Sequence, residues 1–158
     1  MPSWSHDGKW IYYSTISGTT ANIYKVPVEG GNPQPVASHG GIYAAESSDR
    51  KYLYYSRGPT YPTIWRVLVE GGAEEQVPGV PRPFDTSHWV IVGPGIYVID
   101  RNGDLQFYRF DNGSVTRILH DQKFLTDWSM AVSPDGREIA WAQIDVRQAD
   151  LMLVENFR

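Results

Sequence analysis

The histidines of this 158-residue sequence, at 6, 39, 88 and 120, and the aspartates at 7, 49, 111 and 135 are candidates to hold a metal or move a proton. A metal site needs ligands at close, regular spacing. The histidines form no such pair and fall at different phases of a sequence repeat, so turn or surface roles are expected for them. Each aspartate stands where a tight turn needs a side chain to cap its own backbone. A Gly-x-Ser-x-Gly elbow, which would present a serine nucleophile, is missing, and Ser114 follows Gly113 in a turn. Gly30-Gly31 and Gly71-Gly72 lack the Lys and Ser/Thr that a phosphate-cradling loop requires. They read as strand connectors, and no cofactor or metal is expected.

A second group of residues departs from the repeat. Arg57, Tyr61, Arg82, Phe84, Lys123 and Arg147 lie in loops that differ from one repeat to the next, with Phe124 beside Lys123. They are locally basic and aromatic within a chain of net charge −4. Arginine with exposed aromatics is the composition of protein and peptide contact sites. These six residues are the expected partner-binding set. The overall acidic balance argues against a nucleic-acid footprint.

The elements that must carry these residues are legible as a repeat. SHDGKWIYYS at 5–14 returns as SSDRKYLYYS at 47–56, in eroded form as GPGIYVID at 93–100, and as SPDGREIAWA at 133–142. A second phrase follows each: NIYKVPVEGG at 22–31, TIWRVLVEGG at 63–72, LQFYRFDNGS at 105–114 and DLMLVENF at 150–157. Asp7 and Asp49 are 42 positions apart and Tyr24 and Trp65 are 41 apart. A period of about 40–45 residues holding several short strands is the signature of propeller blades. The expected fold is all-β, a β-propeller segment of four consecutive antiparallel blades over residues 2–38, 42–78, 86–119 and 127–158. Each blade has strand positions a to d, and the fourth lacks strand d. The Asp-Gly turn joins a to b; Asp49-Arg50 puts Arg where the others have Gly, which implies a costlier or different turn. Aromatics that recur in step, Trp10 with Tyr52 and Tyr24 with Trp65, are assigned to packing between blades.

Trp4-Ser5-His6-Asp7-Gly8-Lys9 and Val132-Ser133-Pro134-Asp135-Gly136-Arg137 resemble the blade unit of TolB-type propellers, over essentially the whole chain. The stretch 150–157 is similar to the C-terminus of large bacterial winged-helix regulators and kinases. That resemblance implies a sensory or scaffold module of a signalling protein, as an extracytoplasmic part of a membrane-anchored regulator. The abrupt start at Met1 is read as a cut from a longer protein. No run of about 20 apolar residues is present to cross a membrane.

The leading functional expectation is therefore a non-enzymatic module that binds a protein, peptide or ligand and assembles with itself. The alternative is a hydrolase or lyase site in the central channel, where Tyr43, Glu46, Ser87, His88 and Ser129 are the polar candidates. Because an open arc of blades leaves an apolar face bare at each end, a homodimer closing an eight-bladed ring is expected, with Trp10, Tyr12, Tyr13 and Trp141 at the bare faces.

Overall fold

The structure, a computed structural model, describes residues 2–17, 20–58, 60–121, 130–133 and 135–141. Strands β1 (Ser3–Trp4), β2 (Trp10–Ser17), β3 (Thr20–Pro27) and β4 (Gln34–Ala37) form one sheet. A second holds β5 (Ala44–Glu46), β6 (Tyr52–Arg57), β7 (Thr63–Leu68) and β8 (Glu75–Gln76). A third holds β9 (Trp89–Val92), β10 (Gly95–Ile99), β11 (Asp104–Arg109) and β12 (Val115–His120). Strands β13 (Met130–Val132) and β14 (Ile139–Trp141) begin a fourth. Neighbours in each sheet are consecutive in sequence and antiparallel, and no helix occurs among the described residues. This is the expected series of propeller blades. The fourth blade's c strand lies outside the described residues.

The a-to-b turn has one chemistry in blades one, two and four. In blade one the Ser5 hydroxyl donates to Asp7 at 2.7 Å, the Lys9 amide donates to the same carboxylate oxygen at 3.0 Å, and the Trp10 amide donates to Ser5 Oγ at 2.9 Å. Ser47, Asp49, Lys51 and Tyr52 repeat those bonds at 2.6, 3.1 and 3.0 Å. Ser133, Asp135, Arg137 and Glu138 repeat them at 2.7, 3.2 and 2.9 Å. These aspartates are turn caps. Their hydrogen bonds, led by the serine hydroxyl, hold each carboxyl below the usual range. Arg50 adopts φ 61° in the place where Gly8 has 70° and Gly136 has 71°. The turn type is thus kept, and Arg carries the left-handed strain.

Blades are joined by apolar layers. Tyr12, Ile23 and Val36 of the first sheet pack on Leu53, Tyr55 and Val67 of the second. Tyr54 and Ile64 of the second pack on Trp89, Ile96 and Val98 of the third, while Ile99, Leu105 and Tyr97 receive Met130 and Ile139. The innermost strands follow one another as β1, β5, β9 and β13. This geometry corrects the expected bare faces. Tyr12 is only 2% exposed, buried against blade two. Trp10 lies on the same side of its strand, with Lys25 Nζ 4.8 Å above its ring. Of the expected trio, Tyr13 alone points away from blade two. Trp141 pairs with Met130 across β13–β14, so it faces blade three rather than the free side.

Candidate functional site

The b-to-c and d-to-a connections share one face of the arc. On it Pro83 bridges to Asp100 and the Phe84 amide donates to the Ile99 carbonyl at 2.8 Å. That short pairing lays residues 83–84 along the end of β10 and sets Phe84 beside the Asp100-Arg101-Asn102-Gly103 turn. The turn is capped by Asp100, whose Oδ1 accepts the Asn102 and Asp104 amides at 2.8 and 3.0 Å. Arg101 is thereby held over the face. Its guanidinium lies 4.6 Å from the Tyr61 ring and 5.9 Å from the Phe84 ring, and it donates to the Thr60 carbonyl. Tyr61 is nevertheless 62% exposed.

Two of the expected partner-binding residues, Tyr61 and Phe84, are therefore brought to Arg101, a residue that is not in the expected set. Arg82 is exposed and adjoins the Pro83 bridge. Arg57 ends β6 and turns elsewhere: its guanidinium stacks 4.4 Å from the Trp65 ring, and its aliphatic stem lies against Gly40. Lys123 and Arg147 lie outside the described residues. Arg101 had a weak signal at best, since Asp-Arg-Asn-Gly reads as an ordinary turn and its aromatic partners come from other segments.

Beneath the face, Asp85 ties the loop to β9. Its Oδ1 accepts from the Ser87 amide at 2.7 Å, the Ser87 hydroxyl at 2.9 Å and His88 Nδ1 at 2.7 Å. Burial works against the Asp85 charge, but the His88 and Ser87 hydrogen bonds outweigh it and bring the carboxyl down to about 2. His88, 5% exposed, meets Phe84 edge-on at 5.0 Å, and its Nε2 is buried with no hydrogen-bond partner among the described residues. A surface or turn role for this histidine is thus corrected to a core one. Trp89 Nε1 donates to Ser56 Oγ at 2.6 Å and to the Thr86 carbonyl at 3.1 Å, pinning the same loop to blade two.

Of the channel candidates only Ser87 and His88 are brought together, at Asp85 Oδ1. Glu46 accepts from the His6 amide at 3.1 Å and the Tyr12 hydroxyl at 3.3 Å, and so serves the seam between blades one and two. His88 is engaged with Asp85, Tyr43 packs edge-on against Trp89 at 5.0 Å, and Ser129 lies outside the described residues. Glu74, also overlooked in the sequence, accepts from the Ser38 amide, His39 and the Tyr55 hydroxyl at 3.0, 2.9 and 2.6 Å. It too is a seam residue. No group of three or more His, Cys, Asp or Glu side chains able to hold a metal occurs among the described residues.

No family model and no curated protein matches the sequence. Among solved structures the chain is similar to TolB from Acinetobacter baumannii, with a TM-score of 0.74 at 19% identity. The alignment covers 91% of this chain and 37% of that one, so the chain spans well under half the length of the structure it matches. The likeness establishes the propeller fold.

Proposed function

We propose that the chain is a non-catalytic propeller module that binds an acidic peptide or protein segment on the face bearing Tyr61, Arg82, Phe84 and Arg101. The observation that carries this reading is the Arg101 guanidinium set between the rings of Tyr61 and Phe84 on an exposed loop surface. Such an arrangement costs little further ordering entropy on binding, because the loop is already pinned by the Asp85 and Asp100 caps. It offers both a cation for a carboxylate and aromatic area for an apolar neighbour. Arg57 belongs to the margin of the proposed face.

In the same reading the module is the sensory or scaffold part of a larger bacterial signalling protein, displayed outside the cytoplasm. That rests on the resemblance of residues 150–157 alone.

Fluorescence anisotropy against a library of short acidic, neutral and basic peptides tests the binding claim. Acidic peptides should bind, and Arg82→Ala, Phe84→Ala and Arg101→Ala should each weaken them about tenfold or more. Equal binding of basic peptides, no binding above background, or loss of binding only in variants of the opposite Asp7-Gly8 turn would overturn it.

The catalytic alternative has one observation in its favour, the Asp85-oriented His88 with an unpartnered Nε2. Turnover of an esterase, lactonase or glycosidase substrate that is lost in His88→Ala would establish it.

A further inference from the structure

On the side of the arc opposite the loop face, one cleft opens at the seam between blades one and two and another between blades two and three. They are built from equivalent residues, because β2–β3 and β6–β7 pair in the same register: Tyr12 lies opposite Lys25, and Tyr54 opposite Arg66. Trp10 and Tyr52 hold the same place, two residues before each tyrosine. Yet the first cleft encloses about 200 Å³ and the second about 430 Å³.

The extra space comes from a turn. Four residues, Ser48 to Lys51, join Ser47 to Tyr52 in blade two, but only Gly93 and Pro94 join Val92 to Gly95 in blade three. The shorter turn removes the counterpart of Arg50, which lines the first cleft. The first cleft is also closed by charges of the chain itself. Lys25 Nζ lies over the Trp10 ring and donates to the Val69 carbonyl of blade two at 2.9 Å, while Glu46 of blade two accepts from the Tyr12 hydroxyl at 3.3 Å.

At the second seam Ile91 stands where Glu46 does, opposite the residue before the tyrosine, so blade three offers the Tyr54 hydroxyl no carboxylate in that place. Burial pushes this hydroxyl above its ordinary value, and at neutral pH it is a donor. Arg66 keeps its guanidinium 4.5 Å from the Tyr52 ring, but its Nε donates to Glu75 of its own blade at 2.6 Å. A part-exposed pair contributes little, and a guanidinium has N–H groups beyond Nε, so Arg66 can serve a second carboxylate. Apolar area lies beside these donors: Tyr108 and Phe110 of blade three, with ring centroids 6.1 Å apart, and Val77 and Pro78 of blade two. Asp49 lines this cleft as Asp7 lines the first, each with its Oδ1 committed to its own turn. The carboxylate that distinguishes the two clefts is therefore that of Glu46.

We propose that the cleft between blades two and three binds a small carboxylic acid with an aromatic body, its carboxylate taking the Arg66 guanidinium and the Tyr54 hydroxyl and supplying from outside the charge that Glu46 supplies in the first cleft. The volume is that of small-molecule sites, and a cation and a hydroxyl donor beside aromatic faces select a planar anion. The site lies away from Arg101 and stands independently of peptide binding there.

Amide chemical shifts titrated with phenylacetate, phenylacetamide and phenethylamine test this. Phenylacetate should shift the amides of Ser48, Gly93 and Phe110 most, and bind about tenfold more tightly than its amide. Arg66→Gln and Tyr54→Phe should each weaken phenylacetate about fivefold or more and leave phenylacetamide unchanged. Glu75→Gln frees the guanidinium and should tighten phenylacetate about threefold, a gain that no loss of structure produces. It also tests the claim if Tyr54→Phe fails to melt cooperatively. Arg101→Ala should change nothing, which separates this result from the fate of the loop face. Equal affinity for acid and amide, no shift of these amides at tens of millimolar, or no gain in Glu75→Gln would each overturn the proposal. Tighter binding of phenethylamine would overturn it too, marking a site for an ammonium in imitation of Lys25.

Discussion

The Tyr12 hydroxyl donates to the Glu46 carboxylate at 3.3 Å across the seam between blades one and two, where Tyr12 is 2% exposed and Glu46 is 7% exposed. A carboxylate is costly to bury unless its lone pairs are used, and the His6 amide supplies the second donor at 3.1 Å. Burial, followed by the Glu46 charge, pushes the Tyr12 hydroxyl well above its ordinary value, so it remains a donor throughout the working pH range.

Glu46→Ala should accordingly cost about 2 kcal/mol in urea unfolding, because it strands a buried hydroxyl and an amide at once. Tyr12→Phe leaves the His6 bond in place. Its cost in hydrogen bonding should be smaller, about 1 kcal/mol. A Glu46→Ala midpoint indistinguishable from wild type would show that the seam owes nothing to this pair.

Asp85 gives stability a defined dependence on acid. Its folded carboxyl titrates near 2, below its ordinary value of 3.8, so its contribution is fully present above about pH 4 and is lost as pH falls toward 2. The shift corresponds to stabilisation on the order of 2 kcal/mol. Wild type and Asp85→Asn should therefore differ by that order at pH 7 and converge near pH 2. A difference that is constant across this range would place the effect in loop packing and not in the carboxylate charge.

Arg50 was legible in the sequence as a break in the turn pattern, and the structure shows what the break means. The Ser47–Asp49 cap is strong enough to keep the turn while Arg adopts φ 61°. Arg50→Gly should stabilise the chain by about 0.5–1 kcal/mol, since the relief of left-handed strain exceeds the added entropy of the unfolded glycine. Thermal melts would show it as a higher midpoint, and a lower midpoint would mean that the Arg side chain does something else for the fold.

Strands, turns and blade order could be read from the sequence because the repeats carry local signals: an Asp-capped turn in blades one, two and four, a β-branched or aromatic run in each, and a glycine pair in the first two. The sidedness of the strands could not. In WIYYS both faces of the strand are apolar, so no polar alternation marks which of Tyr12 and Tyr13 meets the next blade, and Tyr12 was assigned to the wrong side. Asp85, Glu74 and Arg101 escaped notice for a different reason. Their roles arise from partners on other segments, such as His39 and Tyr55 for Glu74 and Tyr61 for Arg101. Tyr61, Arg82 and Phe84 stand out because they break the repeat, which is a property of sequence alone.

Blade three tests how a shortened a-to-b turn is built. It has Gly93-Pro94-Gly95 where the others have the Ser-Asp cap, and its two glycines are not equivalent. A Cβ on Gly93 would meet only Ser48 Oγ at 3.6 Å, an ordinary contact. A Cβ on Gly95 would fall 1.9 Å from the Tyr108 carbonyl oxygen and 2.9 Å from the Phe107 ring. The first of these is backbone in the adjacent strand β11, paired residue by residue with β10, so it cannot move aside without breaking the ladder. Gly93→Ala should stay within about 0.5 kcal/mol of wild type. Gly95→Ala should cost more than about 3 kcal/mol or prevent folding, because separating β10 from β11 also opens the layer of Trp89, Ile96 and Val98. Denaturant unfolding of the two variants side by side measures the contrast, and equal midpoints would mean that β10 and β11 are not held in the register described.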